Sequence, residues 1–554
     1  MKYLGRIITI SLLTVFLVSC GVSKSLHDRP DVSGYNASVP QKVKVNDSTF
    51  IAGDNFLLKN KQGQWELYVE GNPLQIGEIT GLLTQELMQK QEAIFFNKVE
   101  QIVPSKFQQY LLRKFLAWYN RKMYQYIPQE YKTEIFGLSQ YASSNFSEIG
   151  EPYLRLLYLH GAHDIGHALQ DLMLVGCSSF AVWGNKTVDG ELLIGRNFDF
   201  YAGDAFAKEK IIAFVNPTKG HKFMSVTWGG MIGVVSGMND QGLTVTINAG
   251  KSEIPLVAKT PISIVTREIL QYASTIDEAI AIAKKRQVFV SEAIFVGSAT
   301  DKKAVLIEVS PDNFGVYEVP NTADELICSN HFQSDAYKHD ERNIQWIEES
   351  HSMYRFRRME ELISEENKID VDDAVAILRN KKGLANKSIG FGNEKALNQL
   401  LAHHGIVFKP ESKEVWVSSN PYQLGEFVMY DFDDVFKNRE GNPATQTLSR
   451  SNKNIPQDPF VHSQAYKDYE KYRVLEREVE AAIEDKAAIP PQKLAELKRL
   501  NPEYWKAYYL TGKYYFEKNY DAAAKIAFEK ALTKEITTVP DRERIENYIQ
   551  KLKN

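Results

Sequence analysis

Cys177 stands in the stretch Val175-Gly176-Cys177-Ser178-Ser179-Phe180-Ala181-Val182-Trp183, where a Gly-Cys bond sits just ahead of a run that reads as a buried strand. A chain cut between Gly176 and Cys177 begins with a residue bearing both a thiol and a free α-amine, which makes a nucleophile with its own base. Such an amine titrates near ~8 and such a thiol near ~8.5 when unperturbed, so both work close to neutral pH. An intact chain has the thiol without the amine. Cleavage is therefore a switch, and Gly176, with no Cβ to obstruct a strained approach, suits the scissile position. A lone Cys among apolar residues is more often packed core than nucleophile, so the reading leans on residues elsewhere.

Those residues follow in order: Gly195-Arg196-Asn197-Phe198-Asp199-Phe200, then Thr246-Ile247-Asn248-Ala249-Gly250, then Cys328-Ser329-Asn330-His331-Phe332, then Ser352-Met353-Tyr354-Arg355-Phe356-Arg357-Arg358. After a Gly-Cys, this succession resembles the N-terminal-nucleophile hydrolases of the penicillin acyltransferase and choloylglycine hydrolase kind, from about Asn60 to about Phe432. The resemblance implies a four-layer αββα sandwich and attack by Cys177 on a linear amide through an acyl-thioester. It implies roles for Arg196 beside the sulfur and Asp199 beside the amine, with Asn197 assisting by hydrogen bonding. Asn248 and Asn330, each ending a strand, match the asparagines that receive the negative oxygen of a tetrahedral intermediate, where losing one donor costs about 3 kcal/mol. Arg355 matches the arginine of the Ser-x-x-Arg segment, with Arg357 close enough to leave that choice open. Water or an amine could accept the acyl group. The acyl part is not specified, although Phe198, Phe200, Tyr201 and Trp228 favour an apolar one. No cofactor is implied.

A second constellation belongs to other chemistry. His163-Asp164-Ile165-Gly166-His167 sets two imidazoles at i and i+4, with His160 one turn earlier, which is the spacing of a zinc-binding helix. Asp164 stands where the metalloprotease motif has its Glu general base, Gly166 weakens the helix by about 1 kcal/mol, and no further ligand follows at motif spacing. A zinc hydrolase on His163 and His167 is thus the rival enzyme reading. A non-catalytic envelope lipoprotein that binds partners through its C-terminal helices is the rival from outside catalysis.

These residues need a scaffold, and 554 residues at net charge −4 are enough for two or more domains with no basic footprint for nucleic acid. Lys2 and Arg6 precede the apolar run Ile7 to Val18, which suits an export signal, and Leu17-Val18-Ser19-Cys20 resembles a lipoprotein cleavage box with Cys20 as the lipidated residue. The expected organisation is a signal peptide over 1–19, a tether over 20–48, the part of the hydrolase domain before the cut over 49–176, and the nucleophile-bearing part over 177–436. A linker over 437–460 and a helical region over 461–554 complete it. The expected location is the cell envelope.

Of three cysteines, Cys177 and Cys328 remain once Cys20 is assigned to lipid, so one disulfide is possible, and it would silence the nucleophile. Cys328 reads instead as a small buried strand residue. Residues 99–173 read as mostly helical, their stripe of Phe107, Tyr110, Leu111 and Phe115 as core or cover. Strands, helices, strands, helices and strands then alternate to residue 431, predicting an α+β domain of two stacked antiparallel sheets with helices outside. At the C-terminus Tyr508, Gly512, Tyr515, Ala524, Phe528 and Ala531 fall at tetratricopeptide offsets, and one repeat cannot bury its own face. That region serves either as a docking surface for a protein partner or as a cap on the enzyme domain.

Overall fold

The computed structural model describes residues 21–35, 38–162, 164, 176–201, 203–253, 255, 257–437 and 445–553. The expected signal peptide, Cys20, His163 and His167 lie outside them. Seventeen strands are present among the described residues: β1 (Lys42–Asn46), β2 (Thr49–Ala52), β3 (Asn55–Lys59), β4 (Trp65–Gly71), β5 (Ser178–Val182), β6 (Leu193–Phe198), β7 (Ile211–Pro217), β8 (Phe223–Thr227), β9 (Ser236–Asn239), β10 (Leu243–Ala249), β11 (Glu292–Ser298), β12 (Lys303–Val309), β13 (Phe314–Tyr317), β14 (Glu325–Cys328), β15 (His404–Lys409), β16 (Glu414–Ser418) and β17 (Phe427–Asp431). They form an eleven-stranded sheet ordered β1-β2-β3-β4-β7-β8-β9-β10-β11-β12-β13 and a six-stranded sheet ordered β14-β5-β6-β15-β16-β17.

The alternation of side chains along these strands sorts the core into layers. Phe214, Met224, Phe295 and Leu306 of the larger sheet meet Ile194, Ile406, Val415 and Val428 of the smaller one between the two sheets. The opposite face of the larger sheet, with Leu67, Ala213, Val245 and Ile294, packs on the helices Pro73–Ile102, Ile262–Tyr272 and Ile276–Lys285. The outer face of the smaller sheet, with Phe180, Val182, Val407 and Trp416, packs on Ser352–Glu365 and Val371–Leu378. The domain is therefore an α+β sandwich of four layers, α-β-β-α. Burying one such Leu, Ile or Phe is worth about 1.5–3 kcal/mol, so the middle layers carry most of the hydrophobic stabilisation.

Two expectations change. The pairing of β4 with β7 is parallel rather than antiparallel. The reason is local: Asn72 and Gln75 form a capping box with Pro73 at the first turn, so the chain leaves β4 as a helix instead of turning back. That helix packs close against Gln129–Ser139, since a Cβ on Gly77 would lie 2.0 Å from the Glu134 carbonyl oxygen. The aromatic stripe on Lys106–Tyr119 is not core: Phe107 is 70% exposed, and Tyr110, Leu111 and Phe115 also face solvent.

Residues at both margins of the domain are more ordered than their composition suggests. Residues 42–46, read as tether, form β1 against β2. Residues 445–458, read as linker, run beside β17, where Ile455 bridges Phe427 and Leu448 donates its amide to Glu66. Beyond them, helices Gln464–Glu484, Pro491–Leu500, Trp505–Glu517, Asp521–Leu532 and Val539–Lys551 make an all-helical region with its own core. Leu400 and Leu424 of the sandwich share that core, and Arg473 bonds both Tyr422 and Asp204, so these helices cover one end of the sandwich.

Candidate active site

Cys177 immediately precedes β5, and strand register decides what surrounds it. Ser178 pairs with Asn197 and Ser179 with Arg196 on β6, while Ser179 also pairs with Cys328 on β14, which carries the chain on to Asn330. From the other sheet, β10 brings Asn248, whose Oδ1 accepts from Ser179 Oγ at 2.8 Å. Arg355 arrives from the helix Ser352–Glu365. The structure thus gathers Cys177, Arg196, Asn197, Asp199, Asn248, Asn330 and Arg355, every one of them buried. Of the two arginines, Arg357 is exposed, whereas Arg355 is buried against Cys177.

Arg196 stitches the two sheets together beside the sulfur. One amino group lies 3.7 Å from Cys177 Sγ and 2.5 Å from the Ile247 carbonyl oxygen, and the other donates to Ser236 Oγ at 2.5 Å. Its guanidinium stacks on Phe198, 4.3 Å from the ring centre, so Phe198 is buried support rather than an entrance wall. Burial pushes the Cys177 thiol up to about 11, partly countered by Arg196 and by the backbone N–H of Asp199. The thiol is therefore a neutral S–H near neutral pH.

Asp199 sits beside the Gly176-Cys177 peptide, where its carbonyl accepts from the Gly176 N–H at 3.2 Å. Its carboxyl is buried, and burial pushes it up to about 7 against the pull of Arg355 and Arg196. Oδ1 has a long contact of 3.4 Å from Gln423 Nε2, and Oδ2 has no hydrogen-bond partner among the described residues. A carboxyl so placed can accept a proton near neutral pH. Asn197 works differently, with Nδ2 donating to the carbonyls of Leu378 and Leu397. It ties the site to the outer helical layer and to the loop before β15.

Arg355 holds the backbone at Cys177. It donates to the Cys177 carbonyl oxygen at 2.6 Å, to Ser178 Oγ at 2.9 Å and to Asn330 Oδ1 at 2.6 Å. Asn330 Nδ2 in turn donates to the Ala249 carbonyl at 2.9 Å, and Asn248 Nδ2 to the Ser329 carbonyl at 3.2 Å. The two asparagines therefore stand astride the seam between the sheets.

Cys328 is a free, buried thiol, as is Cys177, so the disulfide alternative is not formed. Its Sγ contacts the Ser329 carbonyl and fills the core between the sheets. On the rival zinc helix, His160 has both nitrogens engaged, Nδ1 on the Leu156 carbonyl and Nε2 accepting from the Ile232 amide. Burial takes it down to about 4. Asp164 is buried with Oδ2 on the Ile262 amide, and burial raises it to about 8. Both serve as local packing and capping groups, and no cluster able to hold a metal ion occurs among the described residues.

Sequence reading missed Ser236, Glu292, Gln399, Gln423, His403 and His404. His404 Nε2 and Ser236 Oγ lie 2.9 Å apart and His403 Nδ1 is 2.9 Å from His404 Nδ1, extending the Arg196 network to an aromatic box of Phe198, Phe206 and Trp228. The buried Glu292 carboxyl is pushed well up and feels Arg196 and Asp164. The His403-His404 pair on the edge of a strand was a legible signal. The glutamines were not, since nothing in their spacing marks them.

A family described as acyl-coenzyme A:6-aminopenicillanic acid acyl-transferase matches residues 185–419, starting beyond Cys177. An uncharacterized protein of Archaeoglobus fulgidus is 27% identical over 288 residues, 48% of this chain and 47% of its own length. Protein dcd1B of Dictyostelium discoideum is 25% identical over 197 residues, 35% of this chain and 37% of its own. The chain thus spans less than half of each of these relatives. Among solved structures, a Caenorhabditis elegans N-acylethanolamine-hydrolyzing acid amidase ortholog aligns at 18% identity over 42% of this chain and 93% of its own, with a TM-score of 0.31. A mutant of the conjugated bile acid hydrolase from Clostridium perfringens aligns at 15% identity over 48% and 94%, with a TM-score of 0.32. The stretch 185–419, which is similar to that acyl-transferase family, supplies strands β6 to β16 of the four-layer α-β-β-α sandwich.

Proposed function

We propose that this chain is a cysteine amidase or acyltransferase of the N-terminal-nucleophile type, switched on by its own cut between Gly176 and Cys177. The observation that carries the reading is the joint hold on that bond: Arg196 at 3.7 Å from the sulfur, Arg355 at 2.6 Å from the Cys177 carbonyl, and the Gly176 N–H on the Asp199 carbonyl. In the cut, Cys177 Sγ bonds to the Gly176 carbonyl carbon, the C–N bond breaks, and the sulfur's proton ends on the departing nitrogen. Water then hydrolyses the thioester, leaving a Gly176 carboxylate, a free thiol and a free α-amine on Cys177.

In turnover the same sulfur attacks a substrate amide, while the new α-amine takes the thiol proton and delivers it to the leaving amine. Water or an acceptor amine releases the acyl group. Support for an apolar acyl part comes from a pocket lined by Phe95, Leu159, Phe200, Phe206, Trp228 and Met231. The reading includes export and acylation at Cys20, which would hold the enzyme at the cell envelope.

N-terminal sequencing and intact-mass analysis of the purified full chain test it. The expected result is a new terminus at Cys177, lost together with amide hydrolysis in Cys177→Ala, and insensitivity to chelators. An uncut chain that still hydrolyses amides would sink the proposal.

A further inference from the structure

Gln399 belongs to none of the motifs, yet its side chain is the one placed on the oxygen of the bond to be cut. It sits in the loop between Val371–Leu378 and β15, is 2% exposed, and donates Nε2 to the Gly176 carbonyl at 2.8 Å. A Cβ on Gly176 would lie 2.2 Å from Gln399 Nε2 and 2.8 Å from its Cδ, so the amide presses directly on this peptide. Asn330 Nδ2 and Asn248 Nδ2, by contrast, each place one N–H on the Ala249 and Ser329 carbonyls and keep a second N–H for another acceptor. Neighbouring groups fix the loop: the Leu397 carbonyl accepts from Asn197, and Leu400 is buried in the core of the C-terminal helices.

We propose that Gln399 is the oxyanion donor of the activating cut. This rests on the self-cleavage reading above and adds a division of labour to it. When Sγ bonds to the Gly176 carbon, the carbonyl electron pair moves onto the oxygen that Gln399 already holds, and the negative charge strengthens that hydrogen bond before the C–N bond breaks. Once Gly176 has become a carboxylate terminus, the donor has no further reacting oxygen to serve, and substrate oxyanions fall to Asn248 and Asn330.

The test follows the first-order conversion of newly made full chain into its two fragments, by intact mass, for wild type, Gln399→Leu and Gln399→Glu. Leu keeps the bulk without the donor, and cleavage should slow about 100- to 1000-fold. Glu keeps the shape, should block cleavage when ionised, and should recover part of the rate as pH falls and its carboxyl gains a proton to donate. A packing role alone would not produce that pH-dependent recovery. Wild-type cleavage rates in Gln399→Leu, or equal slowing of both variants at every pH, would overturn the assignment while leaving self-cleavage standing. A wild-type chain that is never cut overturns both.

A separate observation concerns the outer face of Lys106–Tyr119. Ile102, Phe107, Tyr110, Leu111 and Phe115 are exposed, the last four at the 3- and 4-residue spacing of a single helix face. Between residues 98 and 122 stand Lys98, Lys106, Arg113, Lys114, Arg121 and Lys122 against Glu100 alone among acidic residues. Gly21 lies at the end of this element, with a Cβ there 3.4 Å from the Arg121 side chain. An apolar stripe flanked by basic groups fits an anionic lipid surface, and Gly21 brings the start of the described chain to the same end.

We infer that this face rests in the headgroup layer of an anionic membrane. Full chain with Cys20→Ser, which cannot be acylated there, should co-sediment with phosphatidylglycerol vesicles, poorly with phosphatidylcholine, and less as salt rises. The triple variant Phe107→Ser, Leu111→Ser, Phe115→Ser should lose at least tenfold in vesicle affinity with its thermal midpoint retained. Equal binding by wild type and triple variant would overturn the inference. So would a dimer in sedimentation velocity that the triple variant abolishes, which would make the occupant a second copy of the chain.

Discussion

Arg355 holds Cys177 by its carbonyl oxygen, at 2.6 Å, and not by its sulfur. The same guanidinium reaches Ser178 and Asn330, so a single buried cation fixes the Cys177 backbone relative to Asn330. Burial lowers its own affinity for a proton, to about 10, against the pull of Asp199. Arg196, in contrast, addresses the sulfur itself.

Removing Arg355 leaves several buried acceptors without a donor. Arg355→Met should therefore lose about 3 kcal/mol of stability, the scale for hydrogen bonds to a charged group, along with the activating cut. Arg355→Lys keeps the charge and loses the fork that spans Cys177 and Asn330, so it should regain part of the stability and little of the cleavage rate. Urea unfolding and intact mass on the same samples separate the two effects.

Asp199 provides a pH signature. Its folded carboxyl titrates at about 7, above the ordinary carboxyl range, chiefly because it is buried. Between about pH 4 and pH 7 the folded chain holds a proton that the unfolded chain has released, so this group makes stability fall as pH rises through that window. In the uncut Cys177→Ala background, Asp199→Asn should flatten that slope, read as urea midpoints from pH 4 to 8. A slope unchanged by the substitution would show that Asp199 is already ionised at acid pH.

The alternation of strands and helices to residue 431 was legible because half-buried and buried runs with Gly, Asn and Asp turns leave a period in the sequence. That Cys177, Arg196, Asp199 and Asn330 come together was legible because those residue types follow a Gly-Cys in a specific order. Gln399 and Gln423 were not, because they act from loops whose path is set by packing against the C-terminal helices, and loop path leaves no period. The stripe on Lys106–Tyr119 looked like core for the same reason that any amphipathic face does: periodicity tells that a face is apolar, not what covers it.

Away from the site, Arg267 grips Glu134 with two amino groups at 3.1 and 3.0 Å, both side chains buried, and so fastens the helix Gln129–Ser139 to Ile262–Tyr272. Burial pushes the Glu134 carboxyl up even beside Arg267. Glu134→Gln leaves a buried guanidinium without its counter-charge and should destabilise by about 3–5 kcal/mol, with the cut at Cys177 still occurring in whatever fraction folds. Calorimetry together with fragment analysis checks both halves of the statement.

Gly176→Ala probes the close approach at the scissile peptide. The added methyl would have to sit 2.2 Å from Gln399 Nε2 and 2.7 Å from its Oε1. Gln399 is buried and cannot swing into solvent, so the contact is relieved either by shifting the amide off the Gly176 carbonyl or by moving the peptide away from Sγ. Either movement removes the donor from the oxygen on which charge develops, so cleavage should slow by about 100-fold or more. The strain is confined to a loop contact, and overpacking of this kind costs about 1–3 kcal/mol, so the chain should still fold. Combining Gly176→Ala with Gln399→Ala makes room for the methyl without returning the donor; stability should recover while cleavage stays slow. Recovery of cleavage in the double variant would mean that crowding alone, and not loss of the hydrogen bond, had stopped the reaction.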